Sequence, residues 1–315
     1  ITNRFWVGEM SVLYSLFYGA CALDSFGLSV IMNETIEICN AFNAHALEYE
    51  QSAKVQFEIG QRLFERLSYL KINPRYVLDL GCGPGHFSKL LKKHYPNAHI
   101  IGIDLAFKML QQSKSKQSWR KKWALVNADM TDLPFPSGLF DLVFANQVIH
   151  WSNPLASVVS ELNRVMAQDG CLMFSTLGPD TFLELRRAFA SVDQFAHVNE
   201  FPDMHDVGDC LLAQYFVDPV VDMERLTAHY NTLPDLLRSL KAQGVRNMNA
   251  ARNPGLTGKK NWQAFQQAMS AQCVEEKFPL TYEVVYGHAW KGKQRKTGHG
   301  VETLISVDAL RRTLK

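Results

Sequence analysis

Apolar positions change their spacing after the first quarter of the chain. Ile59, Leu63 and Leu67 recur every four residues, which predicts an amphipathic helix within residues 33–70. From residue 76 onward, short and wholly apolar runs alternate with stretches of helical spacing. The change of period predicts a helical segment followed by an alternating strand and helix domain.

Five of these apolar runs fit buried strands. They are residues 76–80, 100–104, 124–126, 140–144 and 171–174. Strands that are apolar on both faces and separated by helices predict a parallel sheet covered on both sides. The expected fold class is therefore α/β, with a doubly wound and mostly parallel sheet. Beyond Gly178 the alternation weakens, and residues 220–230 and 280–290 alternate like half-exposed strands.

The beginning of the chain differs from the rest. Between Met10 and Met32 the residues are mostly apolar, with Asp24 as the only charge. A signal peptide or membrane anchor is one interpretation, but Gly19 and Gly27 interrupt the run. The alternative is an extension ahead of a domain that starts at Met32. No later stretch has the roughly eighteen apolar residues of a membrane span, so we expect no membrane association.

Composition narrows the class of protein. The 315 residues are 47% hydrophobic and 20% charged, which is typical of a globular protein with a full core. Thirty-three basic and 31 acidic residues give a net charge of +2, so no nucleic-acid partner is expected. The six cysteines form no C-x-x-C pair, which argues against a disulfide scaffold or zinc ribbon and favours a cytoplasmic protein.

A glycine-rich segment follows the first predicted strand. Asp79 precedes Gly81, Gly83 and Gly85, and the G-x-G-x-G spacing continues with His86. A dinucleotide-binding loop would need glycine at that last position, which disfavours a nicotinamide oxidoreductase. Glycines allow backbone amides to approach a ligand closely. The alternative is a tight turn between strand and helix.

Acidic residues end the next two strands, at the edge where parallel sheets bind ligands. Asp104 suits two ribose hydroxyls, and its charge would repel a 2′-phosphate. Asp129 suits an adenine amino group. Helix capping is the alternative role for both carboxylates. The remaining residues assigned to this nucleoside site are Leu105, Met109, Met130 and Asn146.

These segments resemble a known motif series. The matching segments are VLDLGCGPG at 77–85, IGID at 101–104, NADM at 127–130 and FDLVFAN at 140–146. They resemble class I methyltransferases that depend on S-adenosylmethionine (SAM), over about residues 77–176. The resemblance implies a seven-stranded sheet whose last two strands are antiparallel. It also implies SAM as cofactor, with its methionine part in the glycine loop and its ribose on Asp104.

The flanking segments narrow the resemblance. Residues 41–50, 238–244, 251–254 and 278–283 are similar to malonyl-[acyl-carrier-protein] O-methyltransferases, over about residues 41–291. This resemblance implies methylation of the free carboxylate of a malonyl thioester on acyl carrier protein, the first step of pimeloyl formation for biotin. The expected division is an extension at 1–31, a single methyltransferase domain at 32–291 and a basic tail at 292–315. Within the domain we expect a helical lid at 33–75, a SAM-binding core at 76–178, acceptor-side helices and strand 6 at 179–277, and the last strand at 278–291.

The acceptor side needs positioning rather than acid or base catalysis, because a malonyl carboxylate is already ionised at neutral pH. No catalytic acid, base or metal is therefore expected. Tyr49 resembles the tyrosine of the family's lid helix, and His150 with Trp151 follows the fourth strand as a candidate pocket wall. Ordinary packing in a helix or the core is the alternative for all three.

A basic segment lies on the acceptor side of the sequence. Residues 236–262 contain six Lys or Arg and no acidic residue, which fits an acidic carrier protein. Lys241 or Arg252 could instead meet the substrate carboxylate or the phosphopantetheine phosphate. A solvated helix face is the alternative, and residues 106–128 form a second acid-free stretch.

Two other functions fit the same core. One is a class I methyltransferase for a small molecule or quinone precursor, in which charge reversal across the basic segment would leave catalysis intact. The other is a SAM-binding assembly factor of the respiratory-complex type. Such a factor would bind SAM but release no S-adenosylhomocysteine with a carboxylate acceptor.

Overall fold

A computed structural model describes residues 25–119, 122–243, 258–292, 294–297 and 300–303. The helices are α1 (Ser25–His45), α2 (Tyr49–Ser52), α3 (Lys54–Arg66), α4 (His86–His94), α5 (Phe107–Ser115), α6 (Leu155–Val165), α7 (Leu183–Ala190), α8 (Met204–Ala213), α9 (Leu233–Ala242) and α10 (Lys259–Ser270). The strands are β1 (Tyr76–Leu80), β2 (His99–Asp104), β3 (Ala124–Asn127), β4 (Phe140–Asn146), β5 (Met166–Leu177), β6 (Phe216–Tyr230), β7 (Phe278–Lys291), β8 (Gln294–Thr297) and β9 (Gly300–Thr303).

The chain divides into two compact units, Ile1–Ile38 and Cys39–Lys315. The described part of the first unit is helical. Helix α1 runs through the expected boundary between residues 31 and 32, and the division of the chain made from the sequence stays a prediction. All features below belong to the second unit.

Seven strands form one sheet in the order β3-β2-β1-β4-β5-β7-β6. The first five pair in parallel, whereas β7 is antiparallel to both of its neighbours. Apolar side chains from both faces of the sheet pack under helices in two core layers. The expected fold class is therefore confirmed. The chain order reverses between β1 and β4, which puts a ligand crevice at the carboxyl ends of these strands.

Two helical regions differ from the sequence-based expectation. The stretch expected as helix within residues 33–70 is broken near residues 46–48 and at Ala53, which is fully buried. Helix α8 lies within residues 179–277, where acceptor-side helices were expected, but no sequence pattern was assigned to a helix at its position. Its start is capped by Asp203, which accepts a hydrogen bond from the amide of His205, and its buried face carries Val207 and Leu211. That cap and the four-residue spacing were the available signal.

Within the described ranges, no helix combines enough length with enough apolar character to span a membrane.

Candidate active site

The glycine loop joins β1 to α4 at the carboxyl edge of the sheet. Gly81, Gly83 and Gly85 all have positive φ, of 64°, 51° and 78°. A Cβ at the first would lie 2.5 Å from Val148, and one at the third would clash with Ser113. A Cβ at Gly83 would meet no atom within 4 Å. The middle glycine therefore faces open space, as a loop that holds a ligand against its backbone requires.

Asp104 holds this loop in place. Its Oδ2 accepts a hydrogen bond of 2.8 Å from the amide of Gly83, and its Oδ1 accepts one of 2.8 Å from the amide of Ala106. Burial raises the pKa of the carboxyl to about 6, although both backbone hydrogen bonds lower it. Each oxygen keeps a second lone pair. The carboxylate therefore fits the predicted role of accepting two ribose hydroxyls.

Asp79 lies inside β1 and is only 2% exposed. The hydroxyl of Ser88 on α4 donates to its Oδ2 at 2.5 Å. Burial raises the pKa of Asp79 to about 7, and the charge of Asp104 adds to the rise. A buried carboxylate of this kind gains from a cationic ligand, and SAM carries an ammonium group on its methionine part.

The loop after β3 carries the residues assigned to adenine. Both the amide and the hydroxyl of Thr131 donate to Oδ1 of Asp129, at 2.8 and 2.7 Å. The side chain of Met130 packs against the core layer on the α6 side of the sheet. The carbonyl of Leu105 accepts a hydrogen bond from Asn127. Their contact with adenine stays a prediction.

Aromatic side chains of the N-terminal helices cover this crevice. Tyr49 lies 6.1 Å from Phe42, whose ring lies 5.4 Å from Trp151, measured between ring centroids. Met109 is buried beside Phe42 and Tyr49. Burial raises the pKa of Tyr49, and the nearby charge of Asp104 raises it further. Tyr49 and Trp151 thus lie in one aromatic cluster with Phe42, and their predicted role in closing the site stays a prediction.

His150 follows β4, and burial favours the neutral form of its ring. Burial lowers its pKa to about 3, and its Nδ1 lies 3.4 Å from the hydroxyl of Thr176 at the end of β5. The ring contacts Phe201 with a centroid distance of 5.6 Å. These contacts fit a pocket wall.

Asn146 ends β4 and connects the sheet to α3. Its Nδ2 donates to the carbonyl of Gln56 on α3 at 3.1 Å, and its Oδ1 accepts from Ser175 at 2.8 Å. Both ends of the amide are therefore engaged within the protein. Asn146 therefore lies at the predicted cofactor edge and also holds α3 against the sheet.

Of the two basic residues that were candidates for substrate binding, Lys241 is among the described residues and Arg252 is not. Lys241 is exposed at the end of α9. Arg252 lies outside the described residues, so its predicted role stays a prediction. Within the part of the chain that is described, no group of three His, Cys, Asp or Glu side chains has a metal-binding arrangement.

Sequence reasoning did not identify Lys116, which joins α2 to the glycine loop. Its Nζ donates to the carbonyl of Pro84 at 2.8 Å and lies 2.5 Å from Oε1 of Glu50 on α2. The only signal was its place in an acid-free stretch, which is typical of a solvated face.

We expect Lys116→Met to weaken SAM binding about 3–10-fold, because the loop carbonyl and the lid carboxylate both lose their partner. Calorimetric titration of SAM measures this change. Lys114→Met is the matched control, since Lys114 is exposed in the last turn of α5, the helix that Lys116 caps. Equal dissociation constants for the two variants would argue against a role of Lys116 in closing the lid.

The comparisons with known proteins agree with this geometry. Residues 78–174 match the family described as Methyltransferase domain. A malonyl-[acyl-carrier protein] O-methyltransferase of Legionella pneumophila subsp. pneumophila is 63% identical over 272 residues, covering 86% of this chain and 96% of that protein. The protein of the same name from Gallionella capsiferriformans is 44% identical over 82% of this chain and 92% of its own length. The YcgJ protein of Bacillus subtilis shares the fold, with a TM-score of 0.53 at 16% identity over 74% of this chain and 99% of that one.

The sheet order, the glycine loop and the matching domain define a class I methyltransferase whose methyl donor is SAM. Its particular place among the class I methyltransferases follows from the identity to these two relatives, which extends over more than four fifths of this chain and more than nine tenths of theirs. The protein belongs to the malonyl-[acyl-carrier protein] O-methyltransferase family. The expected family, fold class and cofactor are thereby confirmed.

Proposed function

We propose that this protein methylates the free carboxylate of a malonyl thioester carried by acyl carrier protein, the first step of pimeloyl formation for biotin. The observation that carries the proposal is the 63% identity to a protein of that name, over 96% of its length. The neutral His150 and the carboxylates of the glycine-loop edge support it, since they fit a site that positions reactants.

The chemistry is a single in-line displacement. The bond from sulfur to methyl carbon breaks, and a bond from that carbon to a carboxylate oxygen forms. S-adenosylhomocysteine leaves, and no proton has to be moved because the acceptor is already an anion. The residues of the chain therefore act by alignment and by excluding water. Asp79 and Asp104 hold the donor, while Tyr49, His150 and Trp151 enclose the acceptor side.

Comparison of malonyl and acetyl thioesters on the same carrier protein tests the acceptor directly. We expect mass spectrometry to detect a methyl ester on the malonyl-loaded carrier protein and none on the acetyl-loaded one, because an acetyl group has no free carboxylate. The proposal would be rejected if neither thioester were methylated while a quinone precursor was. SAM binding without release of S-adenosylhomocysteine would favour an assembly factor.

The carrier protein is proposed to dock on α9 and the start of α10. Lys241, Lys259 and Lys260 are exposed there, and Arg238 pairs with Asp235 of its own helix turn at 2.8 Å. Carrier proteins are acidic, so complementary charge would speed their encounter.

Free thiols at five cysteines of the described chain fit the reducing cytoplasm as the place of the reaction.

We expect Lys241→Glu to raise KM for malonyl-carrier protein about 3–10-fold and to leave KM for malonyl-CoA unchanged. The control is Lys93→Glu, which makes the same charge change at an exposed residue of α4. Steady-state kinetics with both thioesters measures the difference. An equal effect of both substitutions would place the carrier elsewhere.

A further inference from the structure

A buried polar cluster lies where α3, α9 and β7 meet. The Nε2 of Gln56 donates to Oε1 of Gln243 at 2.8 Å. The Nε2 of Gln243 donates in turn to the hydroxyl of Ser239 at 2.9 Å and to the carbonyl of Ser52 at 3.3 Å. Tyr282 is fully buried and Gln243 is 3% exposed. The cluster therefore joins the lid, the acceptor-side helix and the sheet.

Two atoms of this cluster are left without a partner. The Oε1 of Gln56 and the hydroxyl of Tyr282 are buried and make no hydrogen bond to any residue that the structure describes. Burial raises the pKa of Tyr282 well above its usual range, and neighbouring Tyr230 raises it further, while the Gln243 side chain lowers it. The hydroxyl is thus close to two polar side chains without being satisfied. Buried polar groups in native proteins rarely stay unpaired, so these atoms indicate a ligand.

Strand register places the cluster beside the cofactor edge. Asn146 pairs with Ser175, and Val284 pairs with Leu177, the last residue of β5. Tyr282 lies two residues beyond this point, and alternation along the strand puts it on the same face as Asn146. The carbonyl of Gln56 accepts a hydrogen bond from the side chain of Asn146. A ligand at the two unpaired atoms would therefore lie near Asn146, at the edge of the sheet that carries the glycine loop.

We propose that Tyr282 and Gln56 bind the acylated phosphopantetheine arm of the acceptor. The Tyr282 hydroxyl donates to a carbonyl or carboxylate oxygen of the acyl end, and Gln56 Oε1 accepts from an amide N–H of the arm. The free donor and the free acceptor match a chain that carries both kinds of group. Gln243 orients Gln56 and acts as a positioning residue. This inference rests on the proposed function, because it takes the acceptor to be a thioester on this arm.

Tyr282→Phe tests the inference, because it removes only the hydroxyl. We expect an increase in KM of about tenfold for malonyl-carrier protein and for malonyl-CoA, which present the same arm. Calorimetry with malonyl-pantetheine in the presence of S-adenosylhomocysteine should show a similar loss of affinity. The dissociation constant for SAM should not change.

Tyr95→Phe is the matched control. Tyr95 belongs to the same core layer as Tyr282 and is 9% exposed. It follows α4 and precedes β2, at the edge of the sheet opposite the cofactor crevice. We expect this variant to retain the wild-type KM. Equal effects of the two substitutions would mean a general loss of packing and would overturn the inference.

Thermal unfolding shows whether Tyr282→Phe is folded. If it is not, Gln56→Met provides a second variant. It should also raise KM for both thioesters while SAM still binds. Unchanged KM and arm affinity in folded Tyr282→Phe, with an active wild type, would overturn the inference alone. An inactive wild type with malonyl-carrier protein would instead reject the proposed function.

Discussion

Replacing Asp104 by asparagine is expected to weaken SAM binding about 100-fold. The carboxylate accepts one backbone hydrogen bond on each oxygen, from Gly83 and Ala106. An amide would direct its NH2 group against one of these N–H donors and would lose one acceptor for the ribose. Two weakened hydrogen bonds of the charged type cost roughly 3 kcal/mol, which corresponds to about 100-fold in affinity. Calorimetric titration of SAM measures the loss.

Asp141→Asn is the control for this experiment. Asp141 also accepts two backbone hydrogen bonds, from the amides of Arg75 and Tyr76 at 2.8 and 2.9 Å, at the opposite edge of the sheet. Both go to the same oxygen, Oδ2, so an asparagine can keep its oxygen on both amides, and we expect a smaller change in thermal stability and no change in SAM affinity. If Asp104→Asn bound SAM as tightly as Asp141→Asn, the assignment of the ribose site would be wrong.

The second large effect is expected at Asp79, where function and stability oppose each other. Its pKa in the folded protein is about 7, against an ordinary value of 3.8. Because the unfolded chain loses this proton at a lower pH, stability falls as pH rises from about 4 to 7. Asp79→Asn removes the buried charge. We expect the free energy of unfolding at pH 8 to rise by roughly 1–3 kcal/mol, with no gain at pH 4.

The same substitution should weaken SAM binding about 10–100-fold, because an amide cannot neutralise the ammonium of the donor. For the wild type, SAM affinity should decline as pH falls below about 7, as Asp79 becomes protonated. Ser88→Ala should move this midpoint upward, since the Ser88 hydrogen bond lowers the pKa. Denaturant unfolding and calorimetry across the pH range measure both effects. A variant that loses stability at pH 8 would contradict the proposed cost of the buried charge.

The sequence predicts the parts of this protein that depend on local pattern. Strands alternating with helices indicate the sheet, and Gly83 and Asp104 come together because both follow strands that end at one edge. Contacts between residues far apart in the sequence leave no local pattern that could predict them. Gln56 lies beside an apolar helix stripe without any feature of its own, yet its backbone and side chain join Asn146 to Gln243. Lys116 resembles a solvated lysine until the fold brings Glu50 to it.

Single-turnover transfer of an isotopically labelled methyl group tests the central claim most directly. SAM with the label is mixed with excess protein and malonyl-carrier protein, and the products are separated and weighed by mass spectrometry. The account predicts one labelled methyl per carrier, on the malonyl carboxylate, with an equal amount of S-adenosylhomocysteine. Label that stays on SAM, or that appears elsewhere than on this carboxylate, would contradict it.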